Sequence, residues 1–275
     1  MNNFLKRTLT AGAFVAVLLG CTYHDQLSFS VLFFIITILG LWEFYTLSEK
    51  GANKPQKLWG TIAGACIFAS TSLVCMGYDF HLLIINIPIL FLIFIIELYT
   101  KSKNPFRNIA FTILGIVYVA VPFSLLNYLV TYTGTYSYEL IFGFFFILWS
   151  NDSGAYLAGS AFGKRKLFAR ISPAKSWEGS IGGAIASYIV VFIISKWYTG
   201  FSIIDWMVIA AILIIIGTLG DLVESLYKRS KNVKDSGTLL PGHGGILDRF
   251  DSLLMATPFV FSYLYLSNYF HHLYP

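Results

Sequence analysis

Long apolar stretches separated by short polar connections run through the whole 275-residue chain. A helix needs about 20 apolar residues to cross a bilayer, because each residue adds about 1.5 Å along the helix axis. Nine stretches approach or meet that length, near residues 8–22, 27–46, 59–77, 80–99, 108–131, 138–160, 177–195, 203–227 and 252–271. The pattern predicts an all-α, polytopic membrane helix bundle with about nine transmembrane helices. Alternating barrel strands are absent, and helices satisfy their backbone groups internally in lipid.

The composition agrees with an integral membrane protein. Hydrophobic residues make up 56% of the chain and charged residues 12%, against roughly 25% charged in an ordinary soluble domain. Soluble globular, disordered and nucleic-acid-binding classes are therefore excluded. The three cysteines lack a C-x-x-C spacing and indicate neither a zinc site nor a disulfide framework; they are Cys21, Cys66 and Cys75.

The basic residues predict the orientation in the membrane. If the nine spans alternate in direction, all but one of the 19 Lys and Arg residues fall on one side, and the exception is Lys196. By the positive-inside rule this side is the cytoplasm, so the N-terminus is cytoplasmic and the C-terminus lies on the opposite side. An alternative for the N-terminus is a lipoprotein signal, in which Lys6 and Arg7 precede an apolar stretch ending at an acylatable Cys21. That alternative leaves the remaining topology unchanged.

The ionisable residues divide the chain into two regions. The spans of residues 1–137 look like lipid-facing scaffold with no ionisable residue deep inside them, whereas residues 138–275 carry acids at membrane depth. A carboxylate there costs at least about 2.5 kcal/mol on insertion scales, which favours a functional role. We therefore expect the catalytic region in the C-terminal half, together with two cytoplasmic loops at 161–176 and 228–251.

The acids predict a metal site. Asp221 and Glu224 share a helix face at the i, i+3 spacing, and Asp248 and Asp251 do the same at the start of the last helix. So many carboxylates would repel one another unless a divalent cation with oxygen ligands, ordinarily Mg²⁺, joined them. A helix-capping role for the last pair remains an alternative. The predicted metal ligands are Asp221, Asp248, Asp152, Glu224 and Asp251.

The two basic loops predict phosphate binding. A glycine-rich turn at 241–245 precedes the last helix, and converging backbone N–H groups and a helix N-terminus both favour anions. Acids for a metal and cations for phosphate together are typical of phosphoryl or nucleotidyl transfer. Basic cytoplasmic loops also occur in membrane proteins without such a site, and the glycine-rich segment could be a plain connector.

Two blocks of sequence resemble a known family. The first reads S-L-Y-K-R at 225–229, K-D-S-G at 234–237 and L-P-G-H-G-G-I-L-D-R-F-D at 240–251. The second lies at 150–180 and includes I-S-P-A-K-S-W-E-G at 171–179. Both resemble the phosphatidate cytidylyltransferases, or CDP-diacylglycerol synthases. Two positions depart from the family pattern, Ser160 in place of Arg and Ala174 in place of Lys, and each removes a phosphate contact.

The resemblance implies a membrane nucleotidyltransferase of phospholipid biosynthesis. It would condense CTP with phosphatidate to CDP-diacylglycerol and pyrophosphate, with Mg²⁺ as cofactor and a second cation left open. Its partners would be CTP, phosphatidate and the lipid bilayer, with no nucleic acid and a homodimer left open. The setting would be the plasma membrane of a bacterium, with the active site facing the cytoplasm. The alternatives are another CTP-dependent lipid phosphotransferase or kinase, and an ion-coupled transporter.

The resemblance also implies roles for individual residues. Asp221 and Asp248 would hold the metal, with the other three acids as further ligands. The residues expected to act in catalysis are Asp221, Asp248, Lys175, His243 and Arg249. The residues expected to bind the nucleotide are Lys164, Lys228, Arg229, Lys234, Gly244 and Gly245.

Overall fold

A computed structural model describes residues 3–49, 54–237 and 244–273. Within these residues the chain is almost entirely helical. The helices are α1 (Asn3–His24), α2 (Gln26–Ser48), α3 (Lys57–Cys75), α4 (Asn86–Tyr99), α5 (Pro105–Gly115), α6 (Val121–Val130), α7 (Glu139–Phe162), α8 (Trp177–Trp197), α9 (Ile203–Ser230) and α10 (Leu247–Leu273). A 3₁₀ turn, Phe80–Ile85, leads into α4, and a π-helical turn, Ile116–Ala120, joins α5 to α6 into one continuous rod.

The helix ends follow local sequence. The Asp25 side chain caps α2 by accepting a hydrogen bond of 2.6 Å from the Ser28 N–H, and Pro105 begins α5, where its missing N–H costs nothing. Ser176 caps α8 by accepting from the Gly179 N–H at 3.1 Å. Each predicted span therefore corresponds to a helical rod with boundaries close to those expected.

Seven of the helical rods among the described residues are long and apolar enough to cross a membrane. They are Gln26–Ser48, Lys57–Cys75, Phe80–Tyr99, Pro105–Val130, Glu139–Phe162, Trp177–Trp197 and Ile203–Ser230. The apolar part of α1, Thr8–His24, is shorter, and α10 is not among the seven. The all-α polytopic membrane fold predicted from the sequence is confirmed.

The chain forms two compact units. The first comprises Met1–Tyr136 and Ser230–Phe250, and the second comprises Ser137–Arg229 and Asp251–Pro275. The described parts of the signature before Asp251, at 230–237 and 244–250, thus belong with the N-terminal helices. The boundary between the units falls inside α10, between Phe250 and Asp251.

The first unit has an aromatic core to which the start of α10 is fixed. The Phe250 ring packs against Phe123 and Phe33, with ring centroids 5.3 and 6.2 Å away, and against Phe14 at 5.9 Å. The Phe33, Phe123 and Phe250 side chains are at most 2% exposed. Burial of such aromatic side chains contributes strongly to packing, so the first turn of α10 has a defined place in this unit.

The second unit is held together by close packing of α7 on α8. A Cβ atom added at Gly154 would lie 2.6 Å from the Ala186 Cβ, and one at Gly183 would lie 2.6 Å from the Asn151 carbonyl oxygen. Small residues at a helix interface let two backbones approach closely in a membrane. The outer face of α8 is apolar and exposed, with Ile185, Ile189 and Phe192 59%, 59% and 60% accessible. Such a face suits contact with lipid.

One element was not predicted. Within the loop 161–176, strands β1 (Lys166–Phe168) and β2 (Ser172–Ser176) pair in antiparallel fashion, with Lys166 opposite Ser176 and Phe168 opposite Ser172. The strands are too short and too polar to show an alternating pattern. The predicted loop 161–176 therefore contains a defined hairpin directly before α8.

Candidate active site

Lys175 and Asp221 form an ion pair in the second unit. Strand β2 carries Lys175, α9 carries Asp221, and the Lys175 Nζ lies 2.5 Å from the Asp221 Oδ2. The two side chains are 27% and 31% exposed. A further contact comes from the Ser225 hydroxyl, one helical turn on, which donates to the Asp221 Oδ1 at 3.2 Å. A predicted phosphate ligand and a predicted metal ligand therefore meet at one point that solvent reaches.

Glu178 stabilises the hairpin that contains Lys175. The Glu178 carboxylate accepts hydrogen bonds from the backbone N–H groups of Lys164 and Arg165, at 3.1 and 3.2 Å. The Trp177 N–H also donates to the Arg165 carbonyl oxygen at 2.9 Å. The first turn of α8 thus holds the beginning of the hairpin, which fixes the register in which β2 delivers Lys175.

A small polar cavity lies beside Lys175. Its volume is about 210 Å³, and α7, β2, α8 and α9 all contribute to its walls. Pockets for drug-sized ligands measure about 300–1,000 Å³, so this one suits a phosphate group rather than a whole nucleotide. The polar residues on its walls include Asp152, Lys175, Ser176 and Thr218. The cavity places the predicted metal ligand Asp152 and the predicted catalytic Lys175 in one site.

Two further predicted acids lie on α9 and α10 in the same unit. The Glu224 side chain is 1% exposed and pairs with Lys228, one turn later, at 3.2 Å between Oε1 and Nζ. Gly220 lets the α10 backbone come close, since a Cβ there would lie 2.8 Å from the Asp251 carbonyl oxygen. The predicted metal ligand Glu224 and the predicted nucleotide ligand Lys228 thus neutralise each other. Their assigned roles stay predictions.

Asp248 organises the signature segment in the first unit. Its Oδ2 accepts hydrogen bonds from the backbone N–H groups of Ser236, at 3.0 Å, and Gly245, at 2.9 Å. Gly244 has a φ of +87°, in the left-handed region that glycine adopts without strain. Gly244 and Gly245, which the sequence predicts to bind the nucleotide, therefore lie directly beside the Asp248 carboxylate.

The same segment carries an acid that sequence reasoning missed. Glu43 of α2 is 8% exposed and accepts hydrogen bonds from the Ile246 and Leu247 N–H groups, at 2.9 and 3.0 Å. A second acid of the first half, Glu97 on α4, is 4% exposed. Both acids lie near the ends of their predicted spans, 27–46 and 80–99, and no role was predicted for either from the sequence. The signal available in the sequence was a lone Glu inside an apolar run.

Lys231 joins the beginning of the segment to the first unit. Its Nζ donates to the Ser48 carbonyl oxygen at 3.2 Å and lies 5.1 Å from the centre of the Phe111 ring. Partial burial, together with the nearby Arg107 guanidinium, holds the pKa of Lys231 below its ordinary value. The segment is thus attached to α2 at both Ser48 and Glu43.

The remaining predicted residues are solvent-facing or outside the described part. Lys164 and Arg229 are exposed in the second unit, and Lys234 and Arg249 are exposed in the first. Exposed cations carry no burial cost in the free protein and are accessible to a soluble nucleotide. His243 lies outside the described residues.

The described residues contain no group of three or more His, Cys, Asp or Glu side chains placed to hold a metal ion. Mg²⁺ is usually held by one or two carboxylates, several waters and substrate phosphates rather than by an all-protein cage. The oxygen donors of Asp152 and Asp221 fit that type of ligation chemically. These residues therefore fit a Mg²⁺ ion that arrives with a nucleotide.

Comparison with known proteins identifies the family. The sequence profile described as "Cytidylyltransferase family" matches residues 5–267, and the chain therefore belongs to the cytidylyltransferase family. It is 34% identical over 285 residues to the phosphatidate cytidylyltransferase of Haemophilus influenzae, covering 94% of this chain and 98% of that protein.

Two further relatives are more similar over a shorter stretch. The phosphatidate cytidylyltransferase of Staphylococcus saprophyticus is 43% identical over 170 residues, which are 60% of this chain and 64% of that protein. The protein of the same name in Bacillus subtilis is 39% identical over 178 residues, or 62% and 65% of the two chains. The resemblance stated from the signature blocks is confirmed.

Proposed function

We propose that this protein is a CDP-diacylglycerol synthase, which transfers a cytidylyl group from CTP to phosphatidate. The observation that carries the proposal is the Lys175–Asp221 ion pair beside the cavity lined by Asp152. This arrangement places a cation suited to phosphate next to oxygen ligands suited to Mg²⁺, in a chain of the cytidylyltransferase family. The named relatives support the choice of CTP and phosphatidate as substrates.

The reaction needs no protein nucleophile. A phosphate oxygen of phosphatidate attacks the α-phosphorus of CTP, a new P–O–P linkage forms, and the bond from the α-phosphorus to its bridging oxygen breaks. Pyrophosphate leaves with that electron pair. Positioning and charge neutralisation account for most of the catalysis in such transfers. The protein therefore has to align two anions and offset their repulsion.

The side chains of the second unit are suited to this task. Lys175 exchanges its contact with Asp221 for a phosphate oxygen, so ligand binding replaces one ionic contact with another. The flexible, exposed Lys164 and Arg229 add positive charge where a soluble nucleotide can reach them. Arg249, at the start of α10 in the first unit, is proposed from the sequence to meet charge developing on the leaving pyrophosphate.

The carboxylates proposed for Mg²⁺ in the second unit are Asp152, Asp221 and Asp251. Bound Mg²⁺ would supply charge neutralisation and a template for the triphosphate oxygens. Asp248, which shares a face of α10 with Asp251, is proposed from the sequence as a principal ligand together with Asp221. Glu224 is proposed as a more distant ligand, since Lys228 already neutralises it.

The position of the site suits a reaction between a soluble and a membrane-bound substrate. The acyl chains of phosphatidate stay in the bilayer against the exposed apolar helix faces, and CTP arrives from water. We place the site on the cytoplasmic face of a bacterial plasma membrane, with the N-terminus on the same side, because the basic residues concentrate there under the predicted topology.

The test is the product formed by purified protein in mixed micelles with labelled CTP, phosphatidate and Mg²⁺. The proposal expects a CDP-lipid and one pyrophosphate for each CTP consumed. Transfer of the γ-phosphate with release of CDP would identify a CTP-dependent lipid kinase instead, and no consumption of CTP would contradict both. Light scattering of the same preparation decides whether the enzyme is a homodimer.

A further inference from the structure

Among the described residues, the buried Glu43 accepts three hydrogen bonds, and all three come from the signature segment. Its carboxylate accepts from the Ser236 hydroxyl at 2.5 Å, the Ile246 N–H at 2.9 Å and the Leu247 N–H at 3.0 Å. Every one of these partners is a donor, as an ionised carboxylate requires. The negative charge also lies at the N-terminus of α10, where the helix dipole favours it. Glu43 is therefore matched to the start of α10 both in hydrogen bonding and in charge.

Two signature glycines make room for this carboxylate. A Cβ at Gly237 would lie 2.6 Å from the Glu43 Oε2, and a Cβ at Gly245 would collide with the Glu43 carboxylate more severely. Neither glycine has a positive φ among the described residues, so backbone conformation does not explain them. Their lack of a side chain lets the segment close around Glu43.

The other buried acid of the first unit shows what a local structural role looks like. Glu97 accepts from the side-chain amides of Gln56 and Asn108, at 2.7 and 2.8 Å, and thereby connects α4 to α5 and to the residue that precedes α3. It has no hydrogen bond to the part of the signature segment that the structure describes. The contrast matters because both acids are at least nine-tenths buried in apolar helices. Of these two acids, Glu43 is the one that bonds to described residues of the signature segment.

We propose that Glu43 is a positioning residue for catalysis, which holds Ser236, Ile246 and Leu247 in place so that Asp248 is correctly oriented. Ser236 and Gly245 donate their N–H groups to Asp248. Ser236 also donates its hydroxyl to Glu43, and Gly245 directly precedes the two N–H groups that Glu43 holds. Glu43 thus acts on Asp248 through these two residues. The catalytic part of this inference rests on the proposed function.

The first test measures local order without any turnover. Glu43→Gln places an amide N–H against backbone N–H donors, so hydrogen–deuterium exchange should accelerate in peptides that contain Ile246 and Leu247. Glu97→Gln is the matched control, since it changes an equally buried carboxylate whose amide partners can reorient. Exchange in the same peptides should then stay at the wild-type rate. Unchanged exchange in Glu43→Gln would overturn the inference.

The second test separates positioning from general destabilisation. Loss of a residue that orients a metal ligand typically costs about 10- to 100-fold in metal affinity, so Glu43→Gln should raise the Mg²⁺ concentration for half-maximal activity about tenfold or more. Glu97→Gln should leave that concentration unchanged. An unaltered Mg²⁺ dependence in Glu43→Gln would contradict the catalytic role.

The shorter acid in Glu43→Asp provides a second test of the same inference. Glu43→Asp keeps the charge but withdraws the carboxylate by one methylene from all three donors. If Glu43→Gln does not yield folded protein, the exchange comparison is made with Glu43→Asp, and unchanged exchange there equally overturns the inference. Failure of the proposed function is recognised separately, because the wild-type protein would then form no CDP-lipid while the exchange result would still hold.

Discussion

The Lys175 ammonium and the Asp221 carboxylate lie 2.5 Å apart, joining the hairpin before α8 to the middle of α9. Each offsets the charge that the other carries into a partly buried site, so the free-energy cost of keeping either charge there is lower than it would be for that charge alone. A nucleotide that binds Lys175 and a cation that binds Asp221 would separate them. The pair therefore couples the two binding events.

Lys175→Ala should raise the KM for CTP. A hydrogen bond to a charged group contributes roughly 1.5–3 kcal/mol, which corresponds to about a 10- to 100-fold change in binding. If Lys175 holds ground-state CTP, kcat should stay nearly intact. Steady-state kinetics with varied CTP at fixed phosphatidate provide the measurement.

Lys166→Ala is the matched control for that experiment. Lys166 lies on β1 of the same hairpin and is exposed. Its loss removes one positive charge from the hairpin without touching Asp221. Equal effects of the two substitutions on the KM for CTP would mean that the hairpin attracts CTP by its overall charge and that Lys175 does not bind the nucleotide directly.

Asp248→Asn should abolish activity while leaving the fold in place. The asparagine carbonyl oxygen can still accept from Ser236 and Gly245, but the anionic ligand that Mg²⁺ prefers is lost. We expect less than about a tenth of wild-type turnover at saturating Mg²⁺, and the same for Asp221→Asn. Asp79→Asn, in the exposed connection before α4, should retain full activity. Substantial activity of Asp248→Asn would move the metal site elsewhere.

The predicted orientation can be tested by cysteine labelling in intact cells. After Cys21, Cys66 and Cys75 are replaced, single cysteines at Lys103 and Asp235 should be protected from a membrane-impermeant maleimide. Those at Asp79 and Thr135 should react, because the alternating topology places them outside. All four positions are exposed. Labelling at Asp235 in sealed cells would reverse the orientation and rule out a cytosolic CTP site.

Gly183→Ala should destabilise the second unit. The new Cβ would lie 2.6 Å from both the carbonyl oxygen and the side-chain oxygen of Asn151, and overpacking of this kind costs typically about 1–3 kcal/mol. Gly20→Ala on α1 is the control, since nothing lies within 4 Å of its Cβ position. Thermal unfolding in detergent should show a lower Tm for Gly183→Ala only. Equal Tm values would mean that α7 and α8 can separate at no cost.

Apolar patterning predicted the helices because bilayer thickness sets their length and burial sets their composition. The hairpin at 166–176 escaped prediction, since a three-residue strand has no measurable period. The contacts of Glu43 were not predicted for a different reason. Its partners lie 193 to 204 residues away in the chain, and no spacing rule connects such positions. The acids and cations of the candidate site were predictable as chemical types, but their pairing, such as Glu224 with Lys228, follows from packing alone.

The attachment of 230–250 to the N-terminal helices has a consequence for protein engineering. Consider a chimera that joins the first half of this protein to the second half of a relative at residue 137. In it, Glu43 and the aromatic core would come from one protein, and the residues that they contact near the start of α10 would come from the other. The N-terminal and C-terminal halves therefore cannot be exchanged independently between relatives. Functional hybrids would need residues 230–250 to come from the same parent as the N-terminal half. Such a hybrid has three junctions, near residues 137, 230 and 251, instead of one.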